Sequence, residues 1–236
     1  LNAGEALGAV HVICTDKTGT QTLNQMTVTR VADPVVGADM AEETRRAALA
    51  LALIASDVRR SQNSRSESGF SGDPLDVAVA EAHAKSGGTF EPINDAILHR
   101  FSFNVQKRRS AGIARREGKV LFCVKGAWES LRPLIARIEA PGEPTPVAAD
   151  ETRLAQAEKI VDRLASEGCR VLALACVELE TMPDPAAAQE LFERGLILMG
   201  FLGAEDPIRP EVPAAVARCH RAGIRVTLVT GDHPRT

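Results

Sequence analysis

Apolar residues along this chain follow two spacings, and their order predicts both strands and helices. Short or alternating apolar runs predict strands, whereas apolar residues repeated every three or four positions predict amphipathic helices. The first pattern predicts strands at residues 9–14, 26–31, 97–105, 110–115, 119–126, 169–179 and 195–205. The second predicts helices at residues 41–56, 73–88 and 151–168, and polar, Ser-rich or Pro-rich segments predict loops at residues 59–72 and 140–150.

The two ends of the chain share a pattern that its middle lacks. Residues 9–14 resemble a buried strand, and residues 209–232 resemble a helix, a glycine turn and a second buried strand. That succession is half of a βαβ unit. The closely spaced strands between residues 97 and 126 favour an antiparallel meander instead.

This contrast predicts a discontinuous domain that carries an insertion. We expect residues 1–25 and 200–236 to form an α/β domain, and residues 26–199 to form an inserted α+β domain with an antiparallel sheet. At 236 residues the chain is long enough for two domains with real cores.

Composition narrows the possible partners. The net charge of −3 gives no general attraction to nucleic acid or to an anionic membrane surface. Aromatic residues make up only 3% of the chain, so platforms for stacking bases are not expected. No apolar run approaches the roughly 20 residues that a membrane-spanning helix needs. We therefore expect neither nucleic-acid binding nor direct insertion into a membrane.

Candidate chemistry lies where the two terminal strands end. Asp16 follows the first, and Thr230, Gly231 and Asp232 follow the second. Ligands of open α/β sheets bind at the carboxyl ends of the strands, so these groups would converge on one crevice. A carboxylate there can hold Mg²⁺ or attack a phosphoryl group. The structural alternative is that Asp16 only caps the helix that follows it.

Several motifs resemble those of the P-type ATPases, the cation pumps of the haloacid dehalogenase-like superfamily. DKTGT at residues 16–20 matches their phosphorylation motif. Six further motifs follow in the family's order: TLNQMTV (22–28), DPLD (73–76), FSFNVQKRRS (101–110), KGA (125–127), DPIRP (206–210) and TGD (230–232). The resemblance covers essentially the whole chain. It implies a partial Rossmann-like phosphorylation domain with an inserted nucleotide-binding domain.

The resemblance also implies roles for individual residues. Asp16 would attack the γ-phosphate of ATP and form an aspartyl phosphate. The catalytic set that it implies is Asp16, Lys17, Thr18, Thr230, Gly231 and Asp232, with Asp16 and Thr18 also holding Mg²⁺. The nucleotide-binding set is Asp76, Phe103, Arg108, Lys125, Gly126, Arg170, Asp206 and Arg209, with Phe103 stacking on adenine.

Each nucleotide-site residue has a structural alternative. Phe103 could be a core residue of an alternating strand, and Lys125 with Gly126 could be a strand-to-helix turn with a surface lysine. Asp76 lies in an ordinary helix start, where Asp73 is the expected N-cap. Arg170 could form a salt bridge at a strand edge. The sequence also departs from the family at two of these positions, with Arg108 in place of a lysine and Asp76 in place of a glutamate.

Three functions are compatible with this sequence. The first is the ATP-binding and phosphorylation region of a cation pump, on the cytoplasmic side of a membrane, whose partners would be the pump's transmembrane helices and actuator domain. The second is a soluble phosphatase of the same superfamily, although Thr18 stands where those enzymes carry a second aspartate as general acid. The third is a nucleotide-binding module without catalysis.

The motifs that are present and absent refine the first function. KGA is present and the Ser-Glu-His-Pro type motif of the heavy-metal pumps is absent, which favours pumps for lighter cations such as Ca²⁺, Na⁺/K⁺, H⁺ or Mg²⁺. The family's Gly-Asp-Gly-x-Asn-Asp motif and its catalytic lysine do not follow Asp232. We therefore expect the 236-residue chain to bind ATP with little or no turnover.

Overall fold

The computed structural model describes residues 10–61, 69–181, 184, 189 and 192–229. The chain divides into two compact units. The described parts of Leu1–Met26 and Asp206–Pro234 form the smaller unit, and those of Thr27–Glu205 form the larger one.

The described residues contain strands and helices in both units. In chain order the strands are β1 (Val12–Asp16), β2 (Thr27–Ala32), β3 (Val58–Arg60), β4 (Phe70–Gly72), β5 (Ile97–Asn104), β6 (Arg109–Arg116), β7 (Lys119–Gly126), β8 (Ile135–Ile138), β9 (Val147–Ala148), β10 (Arg170–Leu179), β11 (Leu196–Glu205) and β12 (Arg225–Val229). The α-helices are α1 (Glu42–Ile54), α2 (Pro74–Lys85), α3 (Phe90–Ala96), α4 (Trp128–Leu131), α5 (Glu151–Ser166) and α6 (Val212–Arg221).

In the smaller unit, the first and last strands lie side by side. β1 and β12 pair in parallel, so the strands that the sequence placed at one crevice are neighbours. The prediction that they are buried is wrong, because Val12 is 48% and Val229 57% exposed. Within the described residues each strand pairs only with the other, and an apolar run does not specify what covers it. The wider Rossmann-like sheet stays a prediction.

The larger unit is built on one eight-stranded sheet. Its strand order is β5-β6-β7-β10-β11-β8-β9, with β2 also pairing with β11. The antiparallel pairing of β5, β6 and β7 confirms the predicted meander. β11 continues to Glu205, which pairs with Thr27 of β2. Residues 200–205 therefore belong to the larger unit's sheet, and the division lies after Glu205 instead of at the predicted residue 199.

Helices cover both faces of this sheet. The alternation along β7 shows this, because Val124 joins the core cluster that contains Leu164 of α5, while Lys125 reaches Ala55 just after α1. Successive residues of a strand point to opposite faces, so α1 and α5 lie on different faces. The core beneath α5 also contains Phe122, Trp128, Leu131, Ile160 and Phe201.

Local sequence explains where these helices begin. Asp73 and Asp150 cap α2 and α5 by accepting hydrogen bonds from the backbone N–H groups of Leu75 and Arg153. α1 has no side-chain cap, but Glu42 and Glu43 in its first turn favour the positive end of the helix dipole. The sequence did not predict α3, β8, β9 or the short β3–β4 pair. β4 and most of β3 lie within residues 59–72, so the prediction of a loop is wrong at both ends of this segment, where the two strands pair with each other.

Candidate functional site

The aspartate of the DKTGT motif ends a strand of the smaller unit. β1 ends at Asp16, whose register partner on β12 is Val229, and the Asp16 side chain is exposed. The residues predicted to face it, Thr230, Gly231 and Asp232, come directly after Val229 and lie outside the described residues. Their convergence on Asp16 therefore stays a prediction.

The segment after Asp16 turns away from the strand at once. Oδ1 of Asp16 accepts a hydrogen bond from the backbone N–H of Lys17 at 2.7 Å. Thr18 is extended (φ −73°, ψ 124°), and Gly19 has φ 76°, a left-handed conformation that glycine adopts without steric cost. Asp16 thus caps one N–H group, as the structural alternative required. Its Oδ2 makes no hydrogen bond within the described part of the chain and is left for other chemistry.

Thr22 links this turn to the segment that returns from the larger unit. Thr22 is only 2% exposed, and its hydroxyl donates to Oδ2 of Asp206 at 2.5 Å and accepts from the N–H of Gly19 at 3.1 Å. Oδ1 of Asp206 accepts from the N–H of Gln25 at 3.0 Å. Both carboxylate oxygens of Asp206 are therefore used to hold the segment that follows Asp16.

Arg209 holds the same turn by donating hydrogen bonds to backbone carbonyl groups of the turn. Its guanidinium donates from Nε to the carbonyl of Thr20 at 3.1 Å and from Nη2 to that of Gly19 at 3.2 Å. Its backbone N–H donates to the carbonyl of Gln21 at 2.8 Å. The sequence suggested nucleotide contact for Asp206 and Arg209. Their contacts here are with the turn, and a nucleotide contact stays a prediction.

In the larger unit, most of the predicted nucleotide residues lie at one end of the sheet. Arg109 on β6 pairs with Gly126 on β7, which pairs with Ala173 on β10. Phe103 and Arg108 belong to the hairpin that joins β5 to β6 at this end, and Arg170 begins β10 three residues before Ala173. The strand registers thus bring together residues that are far apart in the sequence.

Phe103 and Arg108 both face solvent at the hairpin. Phe103 is 57% exposed, which removes the alternative that it is a core residue. Arg108 has φ 51°, and its side chain is 62% exposed with Glu129 as its ion-pair partner at 3.8 Å. Such an exposed ion pair contributes little to stability. An accessible ring and an accessible guanidinium on one hairpin are what a planar, anionic ligand such as a nucleotide requires.

Lys125 and Asp76 are paired with each other inside the larger unit. The ammonium of Lys125, a residue 3% exposed, lies 2.7 Å from Oδ1 of Asp76 and donates to the carbonyl of Ala55 at 2.7 Å and to Oγ of Ser110 at 2.9 Å. Oδ2 of Asp76 accepts from the N–H of Asp57 at 2.8 Å. All three donors of Lys125 are engaged, so the alternative of a surface lysine is wrong. Nucleotide contact by either residue stays a prediction.

Gly126 has a packing reason of its own. A Cβ at this position would lie 2.6 Å from the carbonyl oxygen of Arg108 and would also overlap Arg109. The space that the sequence assigned to an approaching ligand is occupied by the neighbouring strand. The glycine is therefore needed for the sheet, whatever binds nearby.

Arg109 is the center of a buried network that the sequence did not predict. Its guanidinium forms a bidentate pair with Glu193 at 2.7 and 2.5 Å and donates to Ser130 at 3.0 Å. The Glu193 side chain is 3% exposed, and Gln189 donates to it at 2.6 Å. Arg109 looks in the sequence like part of a basic cluster with Lys107 and Arg108, because no local pattern identifies a partner 84 residues away.

Arg170 is exposed, and no ion pair to it is found among the described residues, so the strand-edge salt bridge is not formed there. Within the same residues, no group of three or more His, Cys, Asp and Glu side chains is arranged to hold a metal ion. None of the helices described is both long and apolar enough to span a bilayer.

Comparison with known proteins identifies the family. Residues 43–211 match the family described as "P-type ATPase, cytoplasmic domain N". The chain is 32% identical to calcium-transporting ATPase 8, plasma membrane-type, of Arabidopsis thaliana, over 100% of this chain and 23% of that protein. It is 29% identical to a calcium-transporting ATPase of Bacillus subtilis (strain 168), over 100% of this chain and 29% of that protein. The chain spans less than a third of the length of either relative. It belongs to the P-type ATPase family.

Proposed function

We propose that this chain is the ATP-binding and phosphorylation region of a calcium-transporting P-type ATPase. It would lie on the cytoplasmic side of a membrane, and its partners would be the transmembrane helices and actuator domain of the same pump. Ca²⁺ as the transported ion rests on the names of the relatives. The proposal of ATP as the substrate rests on the geometry of the larger unit.

The observation that carries ATP binding is the exposure of two side chains on one hairpin, Phe103 and Arg108. We expect an adenine ring stacked on Phe103 to bring the phosphates toward the guanidinium of Arg108, whose ion-pair partner among the described residues is Glu129, at 3.8 Å. Arg170, exposed at the same end of the sheet, supplies a second cation. Lys125 and Asp76 would stabilise this end of the sheet, because Lys125 on β7 pairs with Asp76 and donates to the carbonyl at the end of α1.

The proposed covalent step uses Oδ2 of Asp16, which accepts no hydrogen bond from the described residues. Oδ2 would attack the γ-phosphorus of ATP, and the bond from that phosphorus to the β,γ-bridging oxygen would break, so that ADP leaves with the bonding electrons. The product is an aspartyl phosphate that water later hydrolyses. The turn held by Thr22, Asp206 and Arg209 supports this step because it fixes the backbone next to the nucleophile.

The residues of this turn have the right chemistry for Mg²⁺. Asp16 and Thr18 are exposed and offer a carboxylate and a hydroxyl oxygen, the ligand type that Mg²⁺ prefers. We propose that these two residues contribute to holding the ion. When bound, Mg²⁺ would offset the negative charge of the phosphates.

ATP binding is tested by titrating the 236-residue chain with ATP and following backbone resonances by NMR. We expect shifts centred on the β5–β6 hairpin. Phe103→Ala should weaken binding roughly tenfold to a hundredfold, because stacking of a base on an aromatic ring contributes about 1–3 kcal/mol. Val105→Ala is the matched control, because Val105 is 78% exposed in the same hairpin. Equal affinity of both variants and the unmodified chain would overturn the assignment of the adenine site.

The covalent step is tested separately with γ-labelled ATP. Any acid-stable label is expected on Asp16 and should be absent from Asp16→Asn, which keeps the shape of the side chain but removes the nucleophile. Label that persists in this variant would contradict the proposed role of Asp16. Failure of this experiment leaves the ATP titration unaffected, so the two parts of the proposal can be separated.

A further inference from the structure

The hairpin that carries Phe103 and Arg108 is held by α4 and the residue that precedes it. The hydroxyl of Ser130 donates to the carbonyl of Lys107 at 2.6 Å, and the backbone N–H of Ala127 donates to the carbonyl of Arg108 at 3.0 Å. These two carbonyls belong to the peptide groups on either side of the Cα atom of Arg108. The backbone of Arg108 is therefore held from both sides.

These contacts matter because Arg108 has an uncommon backbone conformation. Its φ of 51° is left-handed, a region that residues with a Cβ atom occupy at a cost in free energy. Such a conformation persists only where the surrounding structure determines it. The direction in which the Arg108 side chain leaves the hairpin depends on this conformation. Loss of a carbonyl contact would therefore allow the guanidinium to point elsewhere.

Arg109 fixes the hydroxyl of Ser130 in its place. A serine hydroxyl has one hydrogen, which here goes to the carbonyl of Lys107, and its oxygen accepts from Nη1 of Arg109 at 3.0 Å. Both oxygens of Glu193, whose side chain is 3% exposed, accept in turn from the Arg109 guanidinium. Such a bidentate pair fixes the plane of the guanidinium. A series of contacts thus leads from a buried carboxylate to the peptide group that precedes Arg108.

We propose that Ser130 and Arg109 are positioning residues for the phosphates of the nucleotide. They act through Arg108, by holding its backbone in the conformation that directs its guanidinium toward the bound ligand. Neither touches the ligand, because the hydroxyl of Ser130 gives its one hydrogen to Lys107 and the side chain of Arg109 is only 13% exposed. This inference rests on the proposed ATP site.

A comparison of ATP with adenosine tests the inference, because adenosine keeps the base but has no phosphate. Both are titrated into the 236-residue chain and followed by NMR. Ser130→Ala should weaken the binding of ATP roughly threefold to tenfold, because loss of one neutral hydrogen bond reduces the fraction of the binding-competent conformation. Its affinity for adenosine should be unchanged. Phe103→Ala should instead weaken the binding of both ligands, because it removes the surface for the base.

Three further variants show whether the effect passes through Arg108. Ser130→Thr keeps the hydroxyl and should bind ATP as the unmodified chain does. Ser86→Ala is the matched control, because this hydroxyl also donates to a backbone carbonyl, that of Ala82 in α2, and its loss should leave ATP affinity unchanged. In Arg108→Gln, the additional change Ser130→Ala should cause no further loss of ATP affinity.

The variant Ser130→Ala is chosen because it leaves the pair between Arg109 and Glu193 intact. Removing Glu193 would leave a buried guanidinium without its partner and destabilise the fold itself. Urea unfolding of Ser130→Ala, followed by circular dichroism, shows that the comparison is made on a folded protein.

Several results would contradict the positioning role and leave the ATP site standing. One is an unchanged ATP affinity in Ser130→Ala when Phe103→Ala weakens binding. Another is an equal loss for ATP and adenosine, or a loss that persists in Arg108→Gln, since Ser130 would then act on the fold as a whole. A failure of the unmodified chain to bind ATP would overturn the proposed ATP site and this inference together.

Discussion

The buried side chain of Lys125 connects several strands and helices of the larger unit. Its ammonium joins β7 to Asp76 of α2, to the carbonyl that ends α1, and to Ser110 on β6. Four separate elements therefore depend on one positive charge. Removing one partner of a buried pair costs more than the pair contributes, because the other charge is left without compensation.

We expect Lys125→Met to lower the free energy of unfolding of the larger unit by about 3–5 kcal/mol. Urea unfolding followed by circular dichroism measures this change. In the double variant Lys125→Met, Asp76→Asn, the loss should be smaller than the sum of the single losses, because no buried charge remains. Lys119→Met is the control on the same strand: its pair with Glu178 is exposed, so stability should barely change. Additive losses at Lys125 and Asp76 would show that the pair is not coupled.

His83 gives the larger unit a dependence on pH. Its lowered pKa means that, as the pH falls through 6.5, the unfolded chain takes up a proton before the folded chain does. The free energy of unfolding should therefore decrease from this point until the pH is below the pKa of the folded state. His83→Gln should remove this part of the decrease. Identical pH dependence of urea unfolding in the two proteins would contradict the interpretation.

At the scale of elements, the turn after β1 is held by side chains from another part of the chain. Thr22→Val keeps the shape of the side chain but removes the hydroxyl that joins Gly19 to Asp206. We expect a loss of about 1–3 kcal/mol in the stability of this turn, because the carboxylate of Asp206 loses a partner. Hydrogen exchange at the amide of Gly19 measures it. Thr22→Ser retains the hydroxyl and should exchange slowly, and fast exchange in both variants would point to a different cause.

Elements differ in how well the sequence predicted them. β5, β6 and β7 alternate and are separated by short polar turns, so both their positions and their antiparallel order follow from local pattern. β8 and β9 are only four and two residues long, too short to show a clear alternation, and β9 lies within the segment 140–150 that was predicted as a Pro-rich loop. β1 overlaps the predicted strand at residues 9–14 but continues to Asp16, and its burial depends on neighbours that its own residues do not specify.

The sequence predicted some residues of the candidate site but not the contacts between them. Motif order identified Asp16, Phe103 and Arg108, whose side chains are exposed as their proposed roles require. The pairing of Lys125 with Asp76 could not be predicted, because contacts between distant residues depend on strand register and helix position. The same reason explains why Thr22 was not recognised as a residue that positions the turn.

At the scale of the molecule, the larger unit has what it needs to fold alone. It contains its own sheet, helices on both faces and a continuous core. We expect residues 27–205 expressed alone to unfold cooperatively and to retain the ATP affinity of the full chain, since Phe103, Arg108 and Arg170 all lie within it. Circular dichroism and the NMR titration test this. If residues 27–205 alone gave no dispersed side-chain resonances, the larger unit would not fold independently of the smaller one.

The position of β5 at the edge of the eight-stranded sheet has a consequence for kinetics. Within the described residues β5 pairs with β6 alone, and the ring of Phe103 is exposed. Solvent therefore reaches this ring without any strand separating. If ATP stacks there as proposed, no gate has to open before it enters or leaves. Its exchange would then be rapid on the NMR timescale, and the residence time would depend on the strength of stacking on Phe103 and of the phosphate contacts with Arg108 and Arg170. If the chain is part of a pump, as proposed, an open site would allow ADP to leave quickly in every cycle.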